Sequence, residues 1–115
     1  MSARVQFRLR IYRDDLIAIG PGKVALLEAI ARTGSISAAA RELGMSYRRA
    51  WLLVDETNRS LKSPAVLAAA GGAQGGGTAL TPVGEEVVRR YRAIEKTAYT
   101  AAARQIQALS DLLAD

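Results

Sequence analysis

The sequence contains no cysteine and no histidine among its 115 residues. Without cysteine, disulfides and thiolate metal sites are excluded. Without histidine, the commonest general base and the commonest metal ligand are both missing, so we expect neither an enzyme nor a metal or cofactor site. No segment approaches the roughly 18 apolar residues of a membrane span, and arginines occupy the N-terminal region where a secretory signal would be apolar. We therefore expect a cytoplasmic protein that has no membrane partner.

The length of the chain predicts the number of domains, and its net charge indicates the kind of partner. A hydrophobic fraction of 50% in a chain of this length is enough for one ordinary core, which predicts a single domain over residues 1–115. The formal net charge of +5 favours a polyanionic partner, either nucleic acid or an anionic membrane surface. Composition alone does not choose between these two partners.

The N-terminal segment alternates apolar and polar side chains over residues 4–12, which predicts a strand with one buried face. Its apolar members are Val5, Phe7, Leu9 and Ile11. Arg8 and Arg10 would share the exposed face, either as the charges of a soluble edge strand, which we favour, or as a nucleic-acid contact surface. Residues 13–22 predict a connection that ends in a strong Gly-Pro-Gly breaker.

Two helices follow, and each has local stop signals. The first is predicted over about 22–33 and ends at Gly34. Its apolar face comprises Val24, Leu27, Ile30 and Ala31. Ser35 is a suitable N-cap for a short second helix over 36–43, and Gly44 ends that helix.

A third helix is predicted from Ser46, another suitable N-cap, to about residue 62. Its apolar stripe is Trp51, Val54 and Leu61, and Asn58 interrupts that stripe. A single tryptophan on an apolar stripe favours a place in the core. Stacking of Trp51 on a base or sugar is the alternative.

Residues 34–51, GSISAAARELGMSYRRAW, have the pattern of a helix-turn-helix. Small side chains in the first helix allow the second helix to cross it closely. The second helix would then present its first turn to the major groove of DNA. The candidate DNA-contacting residues in that turn are Ser46, Tyr47, Arg48 and Arg49, with Ser35 and Arg41 near the phosphate backbone. Arginine pairs bidentately with guanine or with phosphate. The alternative is an ordinary helical hairpin with two solvated arginines.

The segment 65–81 has two short apolar runs around a glycine cluster, which predicts a hairpin, or wing. Gln74 and Thr78 are its candidate DNA contacts. A phosphate-binding loop is excluded because Gly77 stands where such a loop needs lysine.

The last segment predicts a long helix, or two abutting helices, over 82–114, with Thr81 as N-cap and proline in its first turn. The lower half of its apolar stripe is too long for a small domain to cover alone, which predicts a homodimer. The candidate dimerisation residues are Ile94, Ala98, Ala102, Ile106, Leu109 and Leu113. The alternative is a single helix folded back along the domain.

The predicted fold is mainly α with a small β-hairpin wing. It is a winged helix-turn-helix with an N-terminal strand and a long C-terminal dimerisation helix. The helix-turn-helix would occupy about 35–62, the wing about 65–81 and the dimerisation helix about 82–114.

Residues 34–51, followed by VDETN, GGAQGGG and LTPVGEEVVRRY, closely resemble the N-terminal domain of the ModE family of molybdate-responsive transcriptional regulators. They resemble more distantly the winged domain of LysR-type regulators. The resemblance covers about residues 5–95. It implies a winged helix-turn-helix fold, a dimer formed through terminal helices, and operator binding by the helix that starts at Ser46.

The sequence departs from the ModE pattern in two ways. Full-length members continue into small β-barrel domains that bind molybdate, and this chain ends at Asp115, so we expect no molybdate binding unless a separate protein supplies it. The family also has a Glu-Arg pair before the glycines of the wing and a lysine among them. Leu67, Ala68 and Ala73 stand in those places here, which predicts a wing that lacks its cations.

The sequence as a whole predicts that a homodimer binds double-stranded DNA at a roughly palindromic operator and regulates transcription. The alternative is a dimeric winged-helix adaptor that binds another protein and does not read DNA, and the neutral wing favours that alternative.

Overall fold

The computed structural model describes residues 3–69 and 77–115, which form four helices and two short antiparallel hairpins. The elements in chain order are β1 (Ile11–Arg13), β2 (Leu16–Ile19), α1 (Pro21–Thr33), α2 (Ile36–Glu42), α3 (Tyr47–Ser60), β3 (Val66–Ala69), β4 (Gly77–Leu80) and α4 (Pro82–Ser110). Strand β1 pairs with β2, and β3 pairs with β4. Three helices, a hairpin and a long helix confirm the predicted winged helix-turn-helix order.

The N-terminal segment departs from the prediction. Residues 3–10 have no regular secondary structure, and β1 pairs with β2 inside the segment predicted to be a connection. Asp14, with φ 54°, makes the two-residue turn between these strands, a conformation that aspartate tolerates better than most residues. The alternation over 4–10 reflects packing of this segment on α4. The Tyr91 hydroxyl on α4 donates to the Leu9 carbonyl at 2.9 Å and holds the segment against that helix.

The predicted starts of α2, α3 and α4 are confirmed by their caps, whereas α3 and α4 end earlier than predicted, at Ser60 and Ser110. Gly34 and Gly44 adopt left-handed conformations, with φ 71° and 69°, which glycine reaches without strain. The side-chain oxygens of Ser35, Ser46 and Thr81 each accept a hydrogen bond from the backbone N–H three residues further along, at 3.1 Å. Each cap satisfies a donor that the first turn of a helix leaves open.

The core lies around α1. Val24, Leu27 and Ile30 are at most 1% exposed, as the apolar stripe predicts, whereas Ala31 is exposed and Leu26 takes its place in the core. Leu26, Leu27 and Ile30 belong to one core cluster, whose other buried members are Ala29, Ala39, Ala40, Ala50, Val54, Ala65 and Val66. Removal of this apolar surface from water is the main stabilising contribution to the fold.

Asn58 joins α3 to the wing. Its Nδ2 donates to the Val66 carbonyl at 3.0 Å, and its Oδ1 accepts from the Ala65 and Val66 amides at 2.8 and 3.1 Å. The Thr81 amide donates to the Ala65 carbonyl at 2.9 Å. Hydrogen-bonded and non-hydrogen-bonded residue pairs alternate in an antiparallel ladder. Ala65 bonds to Thr81, so the next pair, Val66 with Leu80, is a non-hydrogen-bonded one. The backbone N–H and C=O of Val66 therefore point away from β4 and toward Asn58. Asn58 therefore supports the fold and does not merely interrupt a stripe.

Helix α4 is one continuous helix of 29 residues. Near its start, Gly84 packs directly on the backbone of Ala65. Further along the helix, the Arg92 guanidinium forms a two-bond ion pair with Glu28 of α1, at 2.6 and 3.0 Å. The C-terminal half of α4 extends away from these contacts.

Candidate nucleic-acid interface

Helices α2 and α3 cross closely because their contact residues are small. Ala39 and Ala50 are both fully buried, and Ala40 is 2% exposed. The turn between the helices is closed by backbone bonds from Gly44 to the Arg41 carbonyl at 3.2 Å and from Met45 to the Ala40 carbonyl at 3.0 Å. This packing fixes the direction in which the first turn of α3 projects.

The first turn of α3 is exposed. Ser46 caps the helix, and the Tyr47 side chain is 55% exposed. Arg48 and Arg49 are exposed as well. The four side chains thus lie together at a helix N-terminus whose backbone N–H groups favour an anion. Had this turn packed against α1 or the wing, these residues would have had no access to a macromolecular partner.

The other predicted contact residues lie on two sides of that turn. Ser35 and Thr78 line a groove of about 250 Å³ together with Tyr47. The Thr78 amide donates to the Gly34 carbonyl at 2.9 Å, which joins the base of the wing to the start of α2. Arg41 is exposed near the end of α2 and does not line this groove. Gln74 lies outside the described residues.

The prediction that Trp51 belongs to the core is wrong, because its side chain is 47% exposed. The buried face of α3 is formed by Ala50, Val54 and Thr57, and Trp51 lies about 100° further around the axis than Ala50. The three-and-four spacing of these smaller residues is the signal that would have identified the correct face. Trp51 is one helical turn from Tyr47, so the outer surface of α3 carries two adjacent aromatic side chains.

The predicted dimerisation residues occupy one side of α4, except Leu113, which lies three residues beyond the end of that helix. Ile94, Leu109 and Leu113 are 48%, 70% and 55% exposed. The remaining members lie between these positions in the sequence and are half-buried: Ala98, Ala102 and Ile106. Beside the upper end of this stripe is an open apolar groove of about 360 Å³ between the N-terminal hairpin and α4. Its apolar lining residues are Leu9, Ile11, Ile19, Val83, Val87, Tyr91 and Ile94. These surfaces form one extended apolar area along α4, which we call the α4 stripe.

Among residues 3–69 and 77–115, no helix is long and apolar enough to cross a membrane. Over the same residues, no group of three or more acidic side chains is arranged to hold a metal ion.

Two solved structures share the fold. The DNA-binding domain of CbnR, solved as a complex with DNA, superposes with a TM-score of 0.57 and 22% identity, over 76% of this chain and 95% of that one. ArgP from Mycobacterium tuberculosis superposes with a TM-score of 0.50 and 18% identity, over 80% of this chain and 30% of that one. At these identities the likeness shows the fold alone.

Sequence comparison gives nearer relatives. The molybdenum-pterin-binding protein MopB of Rhodobacter capsulatus is 57% identical over 77 residues, which is 67% of this chain and 28% of that protein. The molybdenum transport protein ModE of Azotobacter vinelandii is 42% identical over 94 residues, 82% of this chain and 35% of that protein. The DNA-binding transcriptional dual regulator ModE of Escherichia coli K12 is 36% identical over 91 residues, 79% of this chain and 34% of that protein.

These relatives confirm the resemblance to ModE, and the chain spans about a third of their length. The sequence profile of the bacterial regulatory helix-turn-helix proteins of the lysR family matches residues 22–85, from the start of α1 to the first turn of α4. The chain therefore belongs to the lysR family of bacterial regulatory helix-turn-helix proteins, a family of regulators and not of enzymes.

Proposed function

We propose that this protein binds duplex DNA sequence-specifically as a homodimer and regulates transcription. The observation that carries the proposal is the exposed, doubly cationic first turn of α3 on a closely packed helix-turn-helix. The whole chain would act as one DNA-binding unit, with the helix-turn-helix over about 35–62, the wing over about 65–81 and the dimerisation helix over about 82–114. A regulator of this kind works in the cytoplasm, where bacterial DNA lies.

In this proposal α3 lies in the major groove with its N-terminal turn against base edges. Arg48 and Arg49 have the fork of donors that pairs with guanine O6 and N7 or with a phosphate. Ser46 and Tyr47 offer hydroxyl groups to bases or phosphates. A relative supports this function, because the protein from Escherichia coli K12 is named a DNA-binding transcriptional regulator.

Trp51 extends the proposed reading surface. It lies between Tyr47 and the exposed side chain of Leu52, which is 43% exposed. Apolar side chains in the major groove contact the methyl group of thymine, and aromatic rings pack on sugars. Because Trp51 is the only tryptophan, its fluorescence reports this contact directly. Specific duplex should shift or quench the emission, and unchanged emission at saturation would remove Trp51 from the interface.

Backbone contacts would flank the reading helix. Ser35 and Thr78 share a groove with Tyr47, and Arg41 is exposed on α2. We place phosphates against these residues and, beyond the described residues, against Gln74 of the wing. Each phosphate neutralised by an arginine adds to the salt dependence of binding.

The dimer is supported by the α4 stripe, which would otherwise leave Leu109 70% and Ile94 48% exposed. Burial of these side chains against a second copy removes apolar surface from water. Two copies of α3 would then contact successive major grooves, which implies a roughly palindromic operator with half-sites about 10 base pairs apart. We assign to this chain the DNA-reading part of a ModE-type regulator.

The test of DNA reading is the double substitution Arg48→Ala and Arg49→Ala. Both side chains are exposed, so folding should be unchanged. Operator affinity should fall by roughly 2–4 kcal/mol for each half-site if the pair reads guanine. The matched control is Lys96→Ala with Arg104→Ala, two exposed cations on α4. The operator is first obtained by selection of bound sequences from a random duplex pool, and equal affinities of the two variants would contradict the proposal.

The dimer is tested by Leu109→Arg. Because Leu109 is exposed in the single chain, the variant should fold normally, whereas a buried arginine at the interface would cost several kcal/mol. Sedimentation should give a dimer for the wild type and a monomer for the variant. Dimers of equal stability would exclude this face of α4 from the interface.

A protein-interaction adaptor is the second candidate, and the wing supports it. Leu67 is 54% exposed and Ala68 is also exposed, so the described part of the wing presents apolar side chains and no charge. An adaptor should bind random duplex weakly and with little dependence on salt, whereas a DNA-binding regulator should show a steep dependence.

A further inference from the structure

The N-terminal segment places two arginines beside the reading helix. Phe7 and Leu9 are half-buried, whereas Arg8 and Arg10 are exposed. The bond from the Tyr91 hydroxyl to the Leu9 carbonyl, at 2.9 Å, fixes the backbone between the two arginines. These arginines are therefore held at a defined place on the domain.

Arg8 and Arg10 line an open groove of about 430 Å³ together with Arg49 of α3. Asp15 and Glu56 also line this groove, as does Lys23. Glu56 is already neutralised, because its carboxylate is 3.3 Å from the Lys23 ammonium. Three arginines and one carboxylate, Asp15, thus remain outside that pair, and the groove has a net positive charge.

Neither Arg8 nor Arg10 forms an ion pair with any residue of 3–69 or 77–115. Glu95, which lines a shallow groove with Arg8 on the α4 side, is engaged by Arg92 at 2.7 Å. Glu56 and Glu95 are therefore engaged by other cations, and Asp15 can offset only one of the three arginines, so the groove can still bind an external anion.

The groove lies on the side of α3 opposite the wing. Arg49 and Trp51 are two residues apart, so they lie about 160° from each other around the helix axis. Tyr47, on the Trp51 side, lines a groove with Thr78 of the wing, and Arg49 lines the groove with the N-terminal arginines. A duplex whose major groove receives α3 has a phosphate backbone on each side of that helix.

We propose that Arg8 and Arg10, together with Arg49, bind the DNA phosphates on the side of the reading helix opposite the wing. This inference rests on the proposed function. It assigns binding of the DNA phosphate backbone to the N-terminal segment. That segment contributes cations, whereas the exposed Leu67 and Ala68 of the wing contribute none. The contacts fix the register of the protein on DNA and carry no sequence preference.

The test is Arg8→Gln with Arg10→Gln, compared with Lys96→Gln and Arg104→Gln, which remove the same charge from α4. Loss of two phosphate contacts in each protomer should reduce the magnitude of the slope of log K against log salt by about 1.8 per half-site, and by about 3.6 for the proposed dimer. Affinity at about 0.2 M salt should fall on the order of tenfold per half-site, and by the same factor for the selected operator and for random duplex. Arg8→Lys with Arg10→Lys should retain the wild-type slope, because lysine also neutralises phosphate.

The two proposals fail in different ways. If the wild type binds duplex with a steep salt dependence but the glutamine pair has the same slope as the α4 control, the N-terminal contact is refuted and DNA binding stands. If the wild type binds no duplex at any salt concentration, both proposals are refuted. Far-ultraviolet circular dichroism checks that each variant is folded. If the glutamine pair does not fold, Arg8→Gln alone replaces it, and its slope should fall by about half as much.

Discussion

Asn58→Ala should destabilise the protein far more than its position on a partly polar helix face suggests. The side chain makes three hydrogen bonds to the backbone of Ala65 and Val66, at 2.8 to 3.1 Å. These two residues are 0% and 3% exposed. The substitution leaves two N–H groups and one carbonyl without their partner in a region that water reaches poorly.

The expected cost follows from the number of bonds. A hydrogen bond contributes about 1 kcal/mol net, and a buried donor or acceptor left unsatisfied costs roughly 1–3 kcal/mol. A water molecule that enters the space of the missing amide recovers part of this loss. We therefore expect the free energy of unfolding to fall by about 3 kcal/mol, which corresponds to a Tm lower by roughly 12–20 °C for a domain of this size.

The assay is urea denaturation followed by circular dichroism, at one fixed protein concentration because the proposed dimerisation would contribute to stability. The control is Asp55→Ala, one turn earlier on α3, which removes only an exposed ion pair with Arg59 at 3.0 Å and should cost less than about 0.5 kcal/mol. A loss below about 1 kcal/mol for Asn58→Ala would refute the reasoning, because it would mean that the three bonds contribute no more than a surface contact.

Three further predictions concern stability. Gly84→Ala should lower the free energy of unfolding by more than about 2 kcal/mol, because the new Cβ would overlap the carbonyl oxygen of Ala65. Alanine favours helices and would by itself raise stability, so the sign of the change in thermal denaturation shows which effect is larger. The hydrogen bond from Arg92 lowers the pKa of Glu28 from 4.5, so this pair stabilises the fold above that pH and its contribution is lost as the pH falls through the lowered pKa. Glu28→Gln should therefore flatten the dependence of the unfolding free energy on pH between about 5 and 3. Ser46→Ala should cost about 1 kcal/mol through loss of the cap, whereas Ser46→Asp should retain stability in the same denaturation assay.

Local signals in the sequence predict the helices well. A capping serine or threonine and a left-handed glycine act within three or four residues, so Ser35, Ser46 and Gly34 can be assigned without knowledge of the rest of the fold. The exposed first turn of α3 follows from the same boundaries, because the start of that helix lies beyond the residues that cross α2.

Features that depend on distant contacts could not be predicted. The apolar stripe places Trp51 in the core, but packing against the neighbouring elements selects the face of α3 that carries the smaller residues Ala50, Val54 and Thr57. Asn58 looks like an interruption of the stripe in the sequence, because its hydrogen-bond partners lie in the wing, beyond the turn that follows α3. The N-terminal segment alternates like a strand, yet its partner is a helix that begins more than seventy residues later, at Pro82.

Helix α4 is unbroken from Pro82 to Ser110, so it transmits rotation as a rigid rod would. If two copies of α4 are joined near their C-terminal ends, the insertion of one residue between that contact and the rest of the domain rotates each domain by about 100° and shifts it by about 1.5 Å. The insertion of seven residues, close to two helical turns, nearly restores the orientation of each domain and lengthens the helix by about 10 Å. In the proposed dimer, the phase and separation of the two DNA half-sites would thus be set by the length of one helix, far from any residue proposed to contact a base.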